Sequence, residues 1–329
     1  MDTLVVAPSW VGDAVLSQPL LARLKARDPA GALDVLAPAW AFPVFRRMPE
    51  VRAALALPFG HGELRLGARR AFAKSLPRYD RAVVLPNSLK SALVPWHAGI
   101  PERVGYRGEW RYGLLTDVRV LDEQAMPLLV DRFAALAQPA GELLERPVPA
   151  PRLRADAASL EATLAKHGLA GEGPVLALCP GAEYGPAKRW PARHFAEVAR
   201  VHAAKGWRVW LLGSAKDAPV TAEIAALAGP GPRDVAGRTN LEEALDLLSA
   251  ATRVVSNDSG LMHIAAAFDR PMAAIFGSSS PGYTPPLSPK ARIVTLGLSC
   301  SPCFKRDCPL GHTDCLEKLE PARVLAALD

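Results

Sequence analysis

No apolar stretch reaches the roughly 18 residues that a bilayer-spanning helix needs, so no segment of the 329-residue chain is expected to cross a membrane. No secretory leader is expected either. Met1-Asp2-Thr3 carries no basic cluster, and the apolar run behind it, Leu4–Ala7, is short enough to be a first buried strand. A cytoplasmic location is therefore expected. Aromatic residues make up only 6% of the chain. Surfaces that bind single-stranded nucleic acid interleave aromatics with basic residues on strands. No nucleic-acid partner is therefore expected, despite a net charge of +6. No short tandem repeat and no low-complexity tract interrupts the sequence.

What is present is a soluble-protein composition, 50% apolar and 22% charged. The length suits two domains of about 150 residues each. The charge is uneven. Residues 1–155 hold 21 Lys+Arg against 15 Asp+Glu, whereas 156–329 hold 18 of each. Within 44–111 the ratio is 13 to 5. Such a bias fits an anionic partner, or else an arginine-rich solvated face.

Short apolar runs alternate with amphipathic stretches. Strands are expected at 4–7, 33–37, 53–57 and 82–85, separated by helices at about 14–27, 40–47, 63–76 and 88–98. Pro139, Pro147, Pro149 and Pro151 mark a linker, followed by a helix at about 156–167. The pattern then repeats, with strands at 175–178, 207–212, 253–256 and 272–276 and helices at 191–205, 217–228, 240–250 and 259–267. The expected fold class is α/β, with two doubly wound parallel sheets facing a cleft. The expected boundaries are a domain at 1–152, a linker and connecting helix at 153–173, a domain at 174–312, and a terminal segment at 313–329.

Ligands of such sheets bind where strands end and loops begin. After the strand at 175–178 come Gly181, Ala182, Lys188 and Arg189, with Pro191 opening the next helix. Glycine permits close backbone approach, and two cations beside a helix start make a candidate diphosphate clamp or a pair of solvated cations. Asp258, Ser259, Gly260, Leu261 and His263 follow the strand at 253–256. Asp258 or Ser259 could cap the helix there, leaving an anion site at its N-terminus. His263 reads as an acid–base group or as a satisfied helix histidine. Gly277 and Ser278 follow the strand at 272–276 and suit phosphate or sugar hydroxyls, or form a polar turn. In the first half, Ser9-Trp10-Val11-Gly12-Asp13 occupies the first crossover loop. Asp13 could act there as a general base or cap the following helix.

Four of the five cysteines crowd one segment as Cys300-x2-Cys303-x4-Cys308-x6-Cys315. Four thiolates suit a structural Zn2+ site or an iron–sulfur cluster, with free thiols and disulfides as the other readings. A structural zinc is the expectation.

Several longer motifs make a specific match. They are Val6-Ala7-Pro8-Ser9-Trp10-Val11-Gly12-Asp13, Leu36-Ala37-Pro38-Ala39-Trp40, Leu85-Pro86-Asn87-Ser88-Leu89-Lys90-Ser91-Ala92 and Arg111-Tyr112-Gly113-Leu114-Leu115 in the first half. In the second they are Cys179-Pro180-Gly181-Ala182-Glu183-Tyr184-Gly185-Pro186-Ala187-Lys188-Arg189-Trp190-Pro191, Gly213-Ser214-Ala215-Lys216-Asp217 and Asn257-Asp258-Ser259-Gly260-Leu261-Met262-His263. Together they resemble the lipopolysaccharide heptosyltransferases of glycosyltransferase family nine, over nearly the whole chain.

The resemblance implies a GT-B fold, with two Rossmann-like domains, the first binding the acceptor and the second the nucleotide sugar. It implies ADP-L-glycero-D-manno-heptose as donor. The acceptor it implies is the first heptose of the lipopolysaccharide inner core on heptosyl-Kdo2-lipid A, joined with inversion. Asp13 matches the family's general base and Lys188 its cation on the donor phosphates. Asp258, Ser259, Gly260, Leu261 and His263 match its donor loop and helix start, and Gly181, Ala182, Asp217, Gly277 and Ser278 are further expected donor contacts. Ser9, Trp10, Gly12 and Asn87 are expected at the acceptor. Lys90, Arg103, Arg107 and Arg111 are chosen by position for its carboxylates and phosphates. No Asp-x-Asp motif is present to hold a divalent ion on the diphosphate, so no catalytic cofactor is expected. A phosphorylated lipid acceptor implies peripheral contact with the cytoplasmic leaflet of the inner membrane. The terminal helix at 321–328 is expected to return to the first domain, as in other GT-B folds. The competing readings are a family member with another acceptor (heptosyltransferase I or III type) and a nucleotide-sugar-binding protein without turnover.

Overall fold

The computed structural model describes residues 1–60 and 63–329. The chain divides into two compact units, Met1–Pro151 and Arg152–Asp329.

The first unit opens with β1 (Thr3–Val6), α1 (Val11–Leu16), α2 (Gln18–Arg27), β2 (Leu33–Ala37), α3 (Phe42–Arg46), β3 (Ala53–Ala56), α4 (Leu66–Ser75) and β4 (Arg81–Val84). It closes with α5 (Leu89–His97), β5 (Glu102–Tyr106), β6 (Asp117–Arg119) and α6 (Leu129–Ala135). The six strands are all parallel, in the order β3-β2-β1-β4-β5-β6. Strands covered by helices on both faces carry continuous rather than alternating apolar runs, and β1 and β4 are buried throughout. The single helix expected at 14–27 is two helices. Ser17 folds its hydroxyl back onto Ala14 O at 2.7 Å, and Pro19 restarts the chain within the first turn of α2.

The second unit comprises α7 (Ala157–His167), β7 (Val175–Cys179), α8 (Ala192–Ala204), β8 (Arg208–Leu211), α9 (Ala218–Ala228), β9 (Arg233–Asp234) and α10 (Leu241–Ala250). It continues with β10 (Arg253–Asn257), α11 (Gly260–Ala267), β11 (Met272–Ile275), β12 (Ala291–Val294), α12 (Asp314–Glu317) and α13 (Pro321–Ala326). Its parallel sheet runs β12-β11-β10-β7-β8-β9. Counted from its own first strand, that is the same 3-2-1-4-5-6 wiring as the first unit, the order of dinucleotide-binding sheets. Each sheet therefore has a point where the strand order reverses, between β1 and β4 and between β7 and β10.

The strands missing from the sequence reading are β5, β6, β9 and β12. All lie toward the margins of their sheets, where less apolar surface is required. The terminal helix contributes to the core of the second unit. Val324 and Leu328 join Trp190, Phe195 and Val198 in the core of the second unit, and α13 packs on α8. Its apolar face is used within its own domain.

One buried charge organises the first sheet. Asp34 on β2 is 2% exposed and receives Arg52 Nε at 2.9 Å, Arg52 Nη2 at 2.5 Å and the Tyr79 hydroxyl at 2.6 Å. Burial opposes ionisation, but the hydrogen bonds from Arg52 and Tyr79 outweigh it and hold the carboxyl below its usual range. Removing that carboxylate leaves the Tyr79 phenol without its acceptor and Arg52 with only the more distant Asp2, 3.8 Å away. Asp34→Ala should cost about 3 kcal/mol in urea unfolding. Because the folded carboxyl is the stronger acid, its contribution is present at neutral pH. It fades as the pH falls below about 4 toward the folded value, so the wild-type and variant stability curves should converge in acid.

Candidate functional site

The reversal between β7 and β10 places two strand ends side by side, and the residues following them form the site of the second unit. Asn257, fully buried at the end of β10, ties these loops together. Its Nδ2 donates to Pro180 O at 2.6 Å, and its Oδ1 accepts from Trp190 N at 3.2 Å. One carboxamide thus fixes both ends of the 180–190 loop. Within that loop Lys188 donates to Asp258 Oδ2 at 2.5 Å, and its ammonium lies 5.1 Å from the Tyr184 ring centroid. Both partners of the ion pair are largely buried, at 17% and 6% exposure. A buried ammonium needs such a counter-charge.

Ser259 stands at the N-cap of α11, but no side chain caps that helix. The capping expected of Asp258 or Ser259 is not made, because the Asp258 carboxylate is turned to Lys188 and the Ser259 hydroxyl lies 3.3 Å from Ser256 Oγ. His263 is buried one turn into α11. Burial pushes its imidazole down to about 4, with Lys188 helping and Asp258 opposing. It is neutral at physiological pH.

Other expected donor contacts have local duties. Asp217 accepts from Ser214 N at 2.9 Å and Ser214 Oγ at 2.8 Å in a capping box. A Cβ on Gly181 would fall 2.5 Å from Asp217 Oδ2, so only glycine lets these two loops meet. Ala182 is buried beside it. Gly277 lies against Leu316, where a Cβ would meet side-chain carbons at 2.7 Å. Ser278 is buried, and its hydroxyl has no hydrogen-bond partner among the described residues.

In the first unit the corresponding loops follow β1 and β4. Ser9 and Trp10 are exposed. The N-cap of α1 is Trp10, and Gly12 and Asp13 are the second and third residues of the helix. Asp13 is therefore not the cap that the sequence allowed, although a carboxylate in the first turn is favoured by the helix dipole. Two arginines chosen for the acceptor also hold the fold. Arg111 is 1% exposed and donates to Pro86 O at 2.6 Å, to Asn87 Oδ1 at 3.3 Å and to Tyr106 O. Arg103 donates to Leu114 O at 2.5 Å and to Ile100 O. Burial pulls both guanidinium pKa values down. Asn87 is shared between roles, holding Arg111 and accepting Glu109 N at 3.2 Å. Arg107 is exposed and Lys90 half-buried, and neither has an ion-pair partner among the described residues.

The sequence model described as "Glycosyltransferase family 9 (heptosyltransferase)" matches residues 69–314. The chain belongs to glycosyltransferase family 9. It is 48% identical to lipopolysaccharide heptosyltransferase 2 of Escherichia coli, covering 100% of this chain and 98% of that protein. It is 47% identical to lipooligosaccharide heptosyltransferase 2 of Haemophilus influenzae, over 90% and 89% of the two chains. The solved structure of E. coli ADP-heptose lipopolysaccharide heptosyltransferase II superposes with a TM-score of 0.90 at 46% identity, over 100% and 97% of the chains. The two sheets are those of a GT-B glycosyltransferase, and the protein is an enzyme of that class.

In this family-9 chain the cysteine segment braces the loops after β7 and β11. Phe304 N donates to Ser278 O at 2.7 Å, Ser301 Oγ to Gly277 O at 2.6 Å, Ala187 N to Arg306 O at 3.0 Å, and the Tyr184 hydroxyl to Phe304 O at 2.8 Å. Cys300, Cys303, Cys308 and Cys315 line one small cavity with Ser278 and His312. Among the described residues, however, no group of three or more His, Cys, Asp or Glu is arranged to hold a metal ion. The structural zinc expected there has no support, and the four thiols are free. The sequence reading missed Asn257 and Tyr184 as site residues. The only signal for Asn257 was its place at a strand end beside Asp258, which does not reveal where a carboxamide points.

The His263 ring should show no protonation above pH 5 in an NMR titration of its imidazole nitrogens. In the unfolded chain it binds a proton below about 6.5. Its burial therefore costs the fold stability as the pH drops from 6.5 toward 4, and His263→Gln should lessen the loss of stability over that interval.

Proposed function

We propose that the chain transfers L-glycero-D-manno-heptose from ADP-heptose to the first heptose of the lipopolysaccharide inner core, inverting the anomeric centre. The full-length 48% identity to a lipopolysaccharide heptosyltransferase 2 supports the substrate pair. The observation that carries the site is the enclosed Lys188–Asp258 pair at the strand-order reversal of the second sheet, beside the uncapped start of α11.

The donor diphosphate lies at that position. Lys188 supplies positive charge, and the first N–H groups of α11 supply donors that no side chain occupies. Asp258 keeps the ammonium in place and aimed, which removes reorganisation from the reaction step. In the first unit Asp13 takes the proton of the acceptor hydroxyl. The hydroxyl oxygen attacks the anomeric carbon as the bond from that carbon to the β-phosphate oxygen breaks. The electron pair leaves with ADP, and the charge it carries is met by Lys188 and the helix start. His263, neutral by burial, does not shuttle protons.

The acceptor is a phosphorylated glycolipid, and the basic excess of residues 44–111 suits it. Among the described residues no helix is long and apolar enough to cross a membrane. The working location is the cytoplasm, with peripheral contact to the inner leaflet where the acceptor resides.

The decisive measurement is ADP release from ADP-heptose with heptosyl-Kdo2-lipid A. Asp13→Asn should lower kcat by about a factor of a thousand while the donor Kd stays within about twofold. Lys188→Ala should weaken donor binding and lower kcat/KM by roughly a hundredfold or more. Retention of near-normal turnover by Asp13→Asn would reject the base assignment.

A further inference from the structure

Three indoles and a phenol of the first unit are left in solvent, and the topology brings them to one edge. Trp10 is 57% exposed, Trp40 49%, Trp110 87% and Tyr112 65%. All six strands of this sheet are parallel, so the loops after β1, β2 and β5 leave from the same side. Trp10 follows β1, Trp40 follows β2, and Trp110 and Tyr112 follow β5. Between β2 and β5 lie three strand spacings, about 14 Å. Trp96 is also exposed, but it sits near the far end of α5, roughly 10 Å along the helix from this edge.

The loop bearing Trp110 is firmly held. Gly108 is pressed so closely on Asn87 that a Cβ would stand 2.3 Å from the Asn87 carbonyl oxygen. Glu109 accepts Leu89 N at 3.0 Å, and buried Arg111 anchors the other side. Trp110 itself has a φ of 28°, in the left-handed region that a bulky residue rarely adopts. Folding gains little from an exposed indole in that conformation. Beside this edge lie Lys90 and Arg107, which have no ion-pair partner among the described residues, in the stretch with 13 basic residues against 5 acidic.

Rigid aromatic faces beside these cations match a ligand with sugar rings and anionic groups. The C–H face of a pyranose meets the negative face of an indole, while carboxylates and phosphates meet Lys90 and Arg107. We propose that Trp10, Trp40, Trp110 and Tyr112 form the platform on which the sugar rings of the anionic glycolipid acceptor stack, with Lys90 and Arg107 flanking it. The proposal rests on the acceptor-binding role of the first unit and adds the residues that recognise the sugar portion.

The test uses full-length protein, heptosyl-Kdo2-lipid A and the deacylated oligosaccharide made from it. Trp110→Asn keeps a residue that tolerates the left-handed conformation, and Tyr112→Ala gives an independent removal. Each should raise the acceptor KM about tenfold with both forms of the acceptor, leaving the ADP-heptose KM within about twofold. In calorimetry each should weaken binding of the deacylated oligosaccharide by a similar factor. Trp96→Phe should change none of these values. Wild-type affinity for the oligosaccharide in both variants would overturn the proposal. A loss confined to the acylated acceptor would also overturn it, because the row would then be touching lipid. If the wild-type enzyme releases no ADP with heptosyl-Kdo2-lipid A, the functional reading fails separately. Calorimetry still decides here: oligosaccharide binding lost in the variants supports the platform, and unchanged or absent wild-type binding rejects it.

Discussion

An ammonium ion removed from water must find a fixed negative charge, and in this protein the Lys188–Asp258 pair meets that need where two strands end. The pair depends on elements far apart in sequence. β7 and β10 must be neighbours, and the loop after β7 must fold back over the end of β10. Asn257 enforces the second condition by binding both ends of that loop. The glycines at 181 and 185 allow the close approach, because a Cβ at either position would collide with Asp217 or with the Arg306 backbone. The segment around residues 301–306 then braces the loop from outside.

Much of this plan was legible in the sequence. The inner strands were readable because burial on both faces demands unbroken apolar runs, such as Val175–Cys179 and Met272–Ile275. The edge strand β3 was readable too, but β5, β6, β9 and β12 were not. β5 interleaves Arg103 and Gly105 among its residues, and β9 has only two residues. Helix spacing also ran through Ser17, where a hydroxyl bonded to its own backbone divides α1 from α2.

The candidate site was legible to a different degree. Sequence places Lys188 and Asp258 in separate loops, and either could have been solvated. Only the fold makes them partners. Charge in the first unit has more than one use. Arg103 and Arg111 contribute to the basic excess, yet their guanidinium groups bind backbone carbonyls and stabilise the loops after β4 and β5. An arginine carries five donors as well as a charge, and sequence does not say which property is being used. The cysteine spacing suggested metal ligation, whereas the segment's observable work is to hydrogen-bond the loops after β7 and β11.

The last elements of the chain carry a consequence for its synthesis. Leu316, Leu319, Val324 and Leu328 are part of the core that surrounds β7, β8 and α8. The strand β7 also gains its central partner only when residues 253–257 are available. During translation the first unit can complete its sheet from its own residues. The second must wait, with apolar faces of β7 and α8 uncovered, until the segment from 316 to 328 has left the ribosome. The nascent second domain therefore passes through a long interval of exposed hydrophobic surface, in which assistance by a chaperone would have the greatest effect.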